Sequence, residues 1–118
     1  MLAHKPTKTV TILSGTSLSG EVILGSHRII AIIMPAAWTA ANLTFQAAAV
    51  SGGTFQDIYD DAGTEVSVTA AQARSIPVSS VLKQIGQFEY IKIRSGTVGV
   101  PVAQAADRVI ILVLSEAD

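Results

Sequence analysis

A chain of 118 residues and 12.3 kDa has room for a single domain. Its residues are 49% hydrophobic and 14% charged, and 8 Lys and Arg against 9 Asp and Glu leave a formal charge of −1. That balance argues against a nucleic-acid binder, which needs a basic face, against a polybasic membrane-surface protein and against disorder. The absence of cysteine removes disulfides, thiolate metal sites and a cysteine nucleophile.

The chain opens on Met1-Leu-Ala-His-Lys-Pro-Thr7, charged and followed by no signal-type apolar segment. We read residues 1–7 as a flexible arm that orders against a partner, ahead of one domain over residues 8–118. The domain is expected to fold and work where it is made, or in an assembly built there. Val, Ile and Thr supply 35 residues, a β-branched content that suits pleated sheets. Period-two alternation marks strands in chain order at Val10/Ile12, Val22/Leu24, Leu43/Phe45/Ala47, Val66/Val68 and Ile91/Ile93. Two further runs, Ile29 to Met34 and Val109 to Leu114, are apolar without alternation, so both of their faces need cover. The longest apolar stretch, Ile29 to Trp38, contains Pro35 and falls well short of the ~20 residues of a spanning helix.

Turn residues punctuate these strands at Ser14–Gly20, Gly25-Ser26, Ser51–Thr54, Asp60–Gly63, Gly86 and Ser95-Gly96. Asp61-Ala-Gly63 reads as a hairpin connection between Ile58-Tyr59 and Val66–Val68. Helical turns are expected at Ala36–Asn42 and Ala70–Arg74, and a short loop-helix at Ser79–Ile85. The spacing predicts an all-β fold, a single jelly-roll-like antiparallel β-sandwich of about eight or nine strands.

Residues capable of chemistry are few. His4 lies in the arm and His27 at a strand entrance beside Arg28, neither with a nearby carboxylate and serine as a triad requires. No nucleophile elbow, phosphate loop or zinc-type spacing occurs, so no enzymatic activity and no cofactor are expected. Asp57, Asp60, Asp61 and Glu65 form the densest acidic patch. Turn formation around Gly63 accounts for it, with a Ca²⁺ held by these oxygens as the alternative. Trp38, flanked by alanines, and Phe45 are the expected core anchors, whereas Tyr59 and Tyr90 share strands with charged neighbours and suit a rim. Arg28, Lys92, Arg94 and Arg108 flank apolar strands, where charge discourages stray sheet pairing. Lys92 and Arg94 are the better candidates for meeting an acidic partner.

The stretches Met34–Gln46, Phe55–Val66, Tyr90–Thr97, Pro101–Gln104 and Arg108–Leu112 together resemble small virion-associated proteins of tailed bacteriophages, over about residues 20–114. Their order is also similar to galactose-binding-like jelly rolls of the discoidin kind. This chain departs from those lectins in lacking their cysteine pair and in its short, Gly-rich loop between Val50 and Phe55.

The phage resemblance implies a capsid decoration or cement protein on the capsid exterior, assembled in the host cytoplasm. Its implied partners are the major capsid protein and further copies of the chain, as a dimer or trimer. A tail or neck location, or a carbohydrate-binding module for host attachment, are the alternatives. Stable interfaces are depleted of charge at their centre. The candidate contact residues are therefore Ile29, Ile30, Ile32, Ile33, Ile110, Leu112 and Leu114, with Lys92 and Arg94.

Overall fold

A computed structural model of the chain describes residues 5–78 and 88–116. It is all-β: nine strands in two antiparallel sheets, with no α-helix among the described residues. The strands are β1 (Thr7–Ile12), β2 (Val22–Ile23), β3 (His27–Ile33), β4 (Leu43–Ala48), β5 (Gln56–Asp57), β6 (Ser67–Val68), β7 (Ser75–Pro77), β8 (Tyr90–Ser95) and β9 (Arg108–Glu116). One sheet has the order β1-β9-β3-β7; the other runs β2-β8-β4-β5, with β6 also on β4.

Strands β5 and β6 are one strand interrupted. Gln46 faces Asp57 and Thr44 faces Ser67, so residues 59–66 loop out of an otherwise continuous partner for β4. Counted that way, β1 pairs with β9, β2 with β8, β3 with β7 and β4 with β5/β6. This is the nested pairing of a long ribbon wrapped into a jelly roll.

The core lies between the sheets. Val10, Ile12, Ile29, Ile32, Ile110, Leu112 and Leu114 project from one, and Val22, Leu43, Phe45, Ala47, Val68, Ile91 and Ile93 from the other. Phe45 is fully buried. Trp38 closes one end of this core, its indole Nε1 donating to the Ala41 carbonyl at 3.0 Å.

Two sequence expectations need correction, and a third falls outside the described residues. Thr7 belongs to β1, opposite Val113, and the Pro6 carbonyl accepts a hydrogen bond from the Leu114 amide. The end of the expected arm is therefore already in the sheet, while residues 1–4 lie outside the described residues. The helical turns expected at Ala36–Asn42 and Ala70–Arg74 are loops instead. Their backbone groups bond across rather than along the chain: Thr39 to the Gln104 side chain, the Asn42 carbonyl to Gly96 N–H, the Arg74 carbonyl to Met34 N–H and Ala73 N–H to the Pro35 carbonyl. The loop-helix expected at Ser79–Ile85 lies outside the described residues.

Candidate functional site

The two sheets present opposite kinds of outer face. Behind β4 and β8 the outward side chains are polar and largely satisfied by the chain itself. Arg94, on β8, is 7% exposed. Its guanidinium pairs with Asp57 and Glu65, the latter at 3.3 Å, and donates to Thr44 Oγ1 at 3.2 Å. The 59–66 excursion brings Glu65 over this face, where its carboxylate also accepts the Val98 amide. Gln46 Nε2 donates to Asp57 at 3.1 Å. The Arg94 hydrogen bond holds the Asp57 carboxyl below its usual range, assisted by Gln46.

Beside this cluster, the Lys92 ammonium lies 4.5 Å from the centre of the Phe55 ring. Glu21 accepts bonds from the Gly52 amide and the Ser51 hydroxyl, which lower its carboxyl pKa. The charges of this face are thus bound internally. Arg94 in particular, expected to meet an acidic partner, is spent on two carboxylates of its own chain.

The acidic patch divides by role. Asp57 and Glu65 serve Arg94, while the Asp60 carboxylate accepts the Ala62 and Thr64 amides, both at 2.9 Å. Gly63 completes that turn at φ 85°, a backbone conformation that favours glycine. Among the described residues no group of acidic and histidine side chains is placed to hold a metal ion.

One end of the sandwich is tied by Gln104, which is 1% exposed. Its amide nitrogen donates to the Thr39 carbonyl at 3.0 Å and to Ser95 Oγ at 2.6 Å. Its amide oxygen accepts from Thr39 N–H at 2.9 Å and Arg108 Nε at 3.1 Å. Its backbone bonds Gly15 and Thr16. One residue, through its backbone and its side chain, thereby joins the loops that follow β1, β3 and β8. Nearby, Gly96 has φ 94°, and a Cβ there would meet the Val100 carbonyl oxygen at 2.5 Å. This approach needs glycine.

The outer face of the other sheet is different. Along β9 the buried residues Ile110, Leu112 and Leu114 alternate with Val109, Ile111 and Val113, which point away from the core. On β3 an extra residue interrupts the register between Ile29 and Ala31. This bulge lets both Ile29 and Ile32 face inward and leaves Ile30, Ala31 and Ile33 on the outside. Ile111 lies between Ile33 of β3 and Thr9 of β1, and Val113 between Ala31 and Thr7. The outcome is an apolar band of Ala31, Ile33, Val109, Ile111 and Val113, bordered by Thr7, Thr9 and Thr11. It is half-buried except at Val109, which is 49% exposed.

Comparison with known proteins bears on the fold. The chain is similar to the crystal structure of the SPBc2 prophage-derived protein YomS, with a TM-score of 0.56 at 11% identity over 98% of both chains. No family model matches, and no curated protein does. At that identity the likeness is one of architecture.

The structure sorts the expected contact residues by face. Ile29, Ile32, Ile110, Leu112 and Leu114 are at most 1% exposed and belong to the core, where no partner reaches them. Ile30 and Ile33 are on the outer face. Lys92 is half-buried beside Phe55, and Arg94 is enclosed. Trp38 and Phe45 lie in the core. His27 begins β3 opposite Glu116, and His4 lies outside the described residues. Tyr59 is exposed and Tyr90 half-buried, its phenol pKa raised chiefly by the charge of Glu89. Val109, Ile111 and Val113 were not singled out from the sequence as contact residues, although their alternation with the buried members of the same run was available. Gln104 carried no local signal.

Proposed function

We propose that this chain is a structural component of a bacteriophage virion, a capsid decoration or cement protein that binds and stabilises the major capsid shell through protein–protein contacts. Its role is non-enzymatic, and its place is the capsid exterior, reached by assembly in the host cytoplasm. The observation that carries this reading is the apolar outer band on β3 and β9. It is an apolar stretch of sheet face, with Arg28 only at its end beside Ser115, set against an opposite face where Arg94, Asp57 and Glu65 pair internally. Such a face suits the charge-depleted centre of a protein interface. The fold shared with a prophage-derived protein supports the phage setting.

Quantitative mass spectrometry of purified particles from the phage or prophage that encodes the chain tests the reading. Many copies per particle, on the scale of the major capsid protein, are expected for a shell protein. A handful of copies would place it at the tail or neck, and absence from the particles would end the proposal. In the carbohydrate-binding alternative Trp38 is unavailable as a stacking surface because it is in the core.

A further inference from the structure

We propose that the chain self-associates through β1, whose free edge pairs antiparallel with β1 of a second copy about a two-fold axis at Thr9. The inference stands apart from the virion reading, because it rests on the hydrogen-bonding pattern of one strand.

Antiparallel neighbours alternate between residues that exchange backbone hydrogen bonds and residues whose N–H and C=O point the other way. The Leu114 amide bonds the Pro6 carbonyl, and Pro6 falls opposite Leu114 in the register of β1 with β9. The hydrogen-bonded positions are therefore Pro6, Lys8, Val10 and Ile12. Thr7, Thr9 and Thr11 turn their backbone groups to the open side. None of these groups has a hydrogen-bond partner among the described residues. Thr7 and Thr9 are exposed. A groove of about 390 Å³ opens beside Thr9 and Thr11, its other wall formed by Leu18 to Glu21.

The remaining sheet edges are blunted in the ways that prevent stray pairing. Strands β2 and β5 have two residues each, and β7 has three and ends in Pro77. Strand β1 has six residues and no proline. Its one charge, Lys8, bends its ammonium back to the Ile23 carbonyl on β2.

What identifies the occupant as a second copy is self-complementarity. With Thr9 opposite its own equivalent, Thr7 meets Thr11 and Thr11 meets Thr7, and all three become hydrogen-bonded positions. About six backbone hydrogen bonds form, with threonine side chains opposed in the cross-strand pairs that sheets favour. The apolar bands of the two copies then join into one face across the axis. The contact is narrow, so the dimer is expected to be concentration-dependent, with a dissociation constant in roughly the micromolar range.

Sedimentation velocity of the full chain from about 1 to 300 µM should show a monomer–dimer equilibrium. Thr9→Pro removes an outward N–H without touching the ladder to β9. It should weaken dimerisation at least tenfold while leaving the circular dichroism spectrum unchanged. Independently of how that variant folds, Thr9→Cys should form a disulfide-linked dimer under mild oxidation. Thr54→Cys, exposed elsewhere on this cysteine-free chain, should not. A wild-type chain monomeric throughout the range overturns the proposal. So does a dimer in which Thr9→Cys fails to cross-link, or one that Thr9→Pro leaves intact. Protection of β1 that emerges only with a different protein present would assign the edge to that protein and likewise refute self-pairing.

Discussion

Replacing Arg94 with methionine keeps the aliphatic bulk in β8 and deletes the guanidinium. Asp57 and Glu65 are then left facing each other across the space it filled, and Thr44 Oγ1 loses a donor. Breaking a fully buried ion pair costs about 3–5 kcal/mol. Here the arginine side chain is 8% exposed, but those of Asp57 and Glu65 are 28% and 19% exposed. Water therefore recovers part of the loss, and we expect a cost of about 2–3 kcal/mol. With a urea slope of about 1–3 kcal/mol/M for a domain of this size, the unfolding midpoint should fall by roughly 0.7–3 M. Adding Asp57→Asn and Glu65→Gln removes the stranded charges and should restore stability to within about 1 kcal/mol of wild type. If Arg94→Met alone unfolds within about 0.5 kcal/mol of wild type, the cluster is not what anchors the 59–66 excursion to the sheet. If the triple variant is less stable than the single one, repulsion between the abandoned carboxylates is not the cause.

Gln104→Leu preserves volume but strands the Ser95 hydroxyl and both backbone groups of Thr39, and it should cost about 2–4 kcal/mol by urea unfolding; a loss below about 0.5 kcal/mol would show that the loop after β3 is held by other contacts. Acid should also destabilise the fold through Asp57. Its folded carboxyl titrates below the ordinary value of about 3.9, so as pH falls below about 4 the unfolded chain takes up the proton first and stability drops. Stability from this group is constant above about pH 5. Asp57→Asn should flatten that acid limb in unfolding curves between pH 2 and 5, and an unchanged slope would remove Arg94 as the cause of the depressed pKa. Glu21 contributes in the same direction, through the Gly52 and Ser51 hydrogen bonds.

The strands of the sandwich were legible where local pattern and environment agree. Leu43, Phe45 and Ala47 alternate with more polar residues on a strand with one inner face, and Ile91 and Ile93 do the same. The run over residues 29–34 defeated this reading because it is apolar on both sides and hides a bulge. With Ile30 as the extra residue, Ile29 and Ile32 share a face that strict alternation would deny them. Composition identified the surplus of apolar side chains but not which of them the core keeps.

The role of Arg94 was hidden for a different reason. Its partners Asp57 and Glu65 lie 37 and 29 residues away, and meet it only because β5 and β8 flank β4 and the 59–66 excursion folds back. A charged residue directly after the Ile91–Ile93 alternation was the one available sign. The helical turns expected at Ala36–Asn42 and Ala70–Arg74 failed because segments this short gain little from their own helical bonds, and their backbone groups find partners elsewhere in the fold, at Gln104 and Gly96 for the first and at Met34 and Pro35 for the second.

The central claim is that the outer band of β3 and β9 binds the capsid shell. Ile33 and Ile111 are direct cross-strand neighbours on that band. The double variant Ile33→Glu/Ile111→Lys replaces them with an opposite-charge pair that offsets part of the half-buried isoleucine surface lost, at a net cost of about 1–3 kcal/mol. The decisive measurement is the copy number of this folded variant on purified particles, relative to wild type in the same preparation. The account predicts wild type in many copies and the variant reduced at least tenfold. A variant that occupies particles as fully as wild type, or a wild-type chain absent from them, would contradict it.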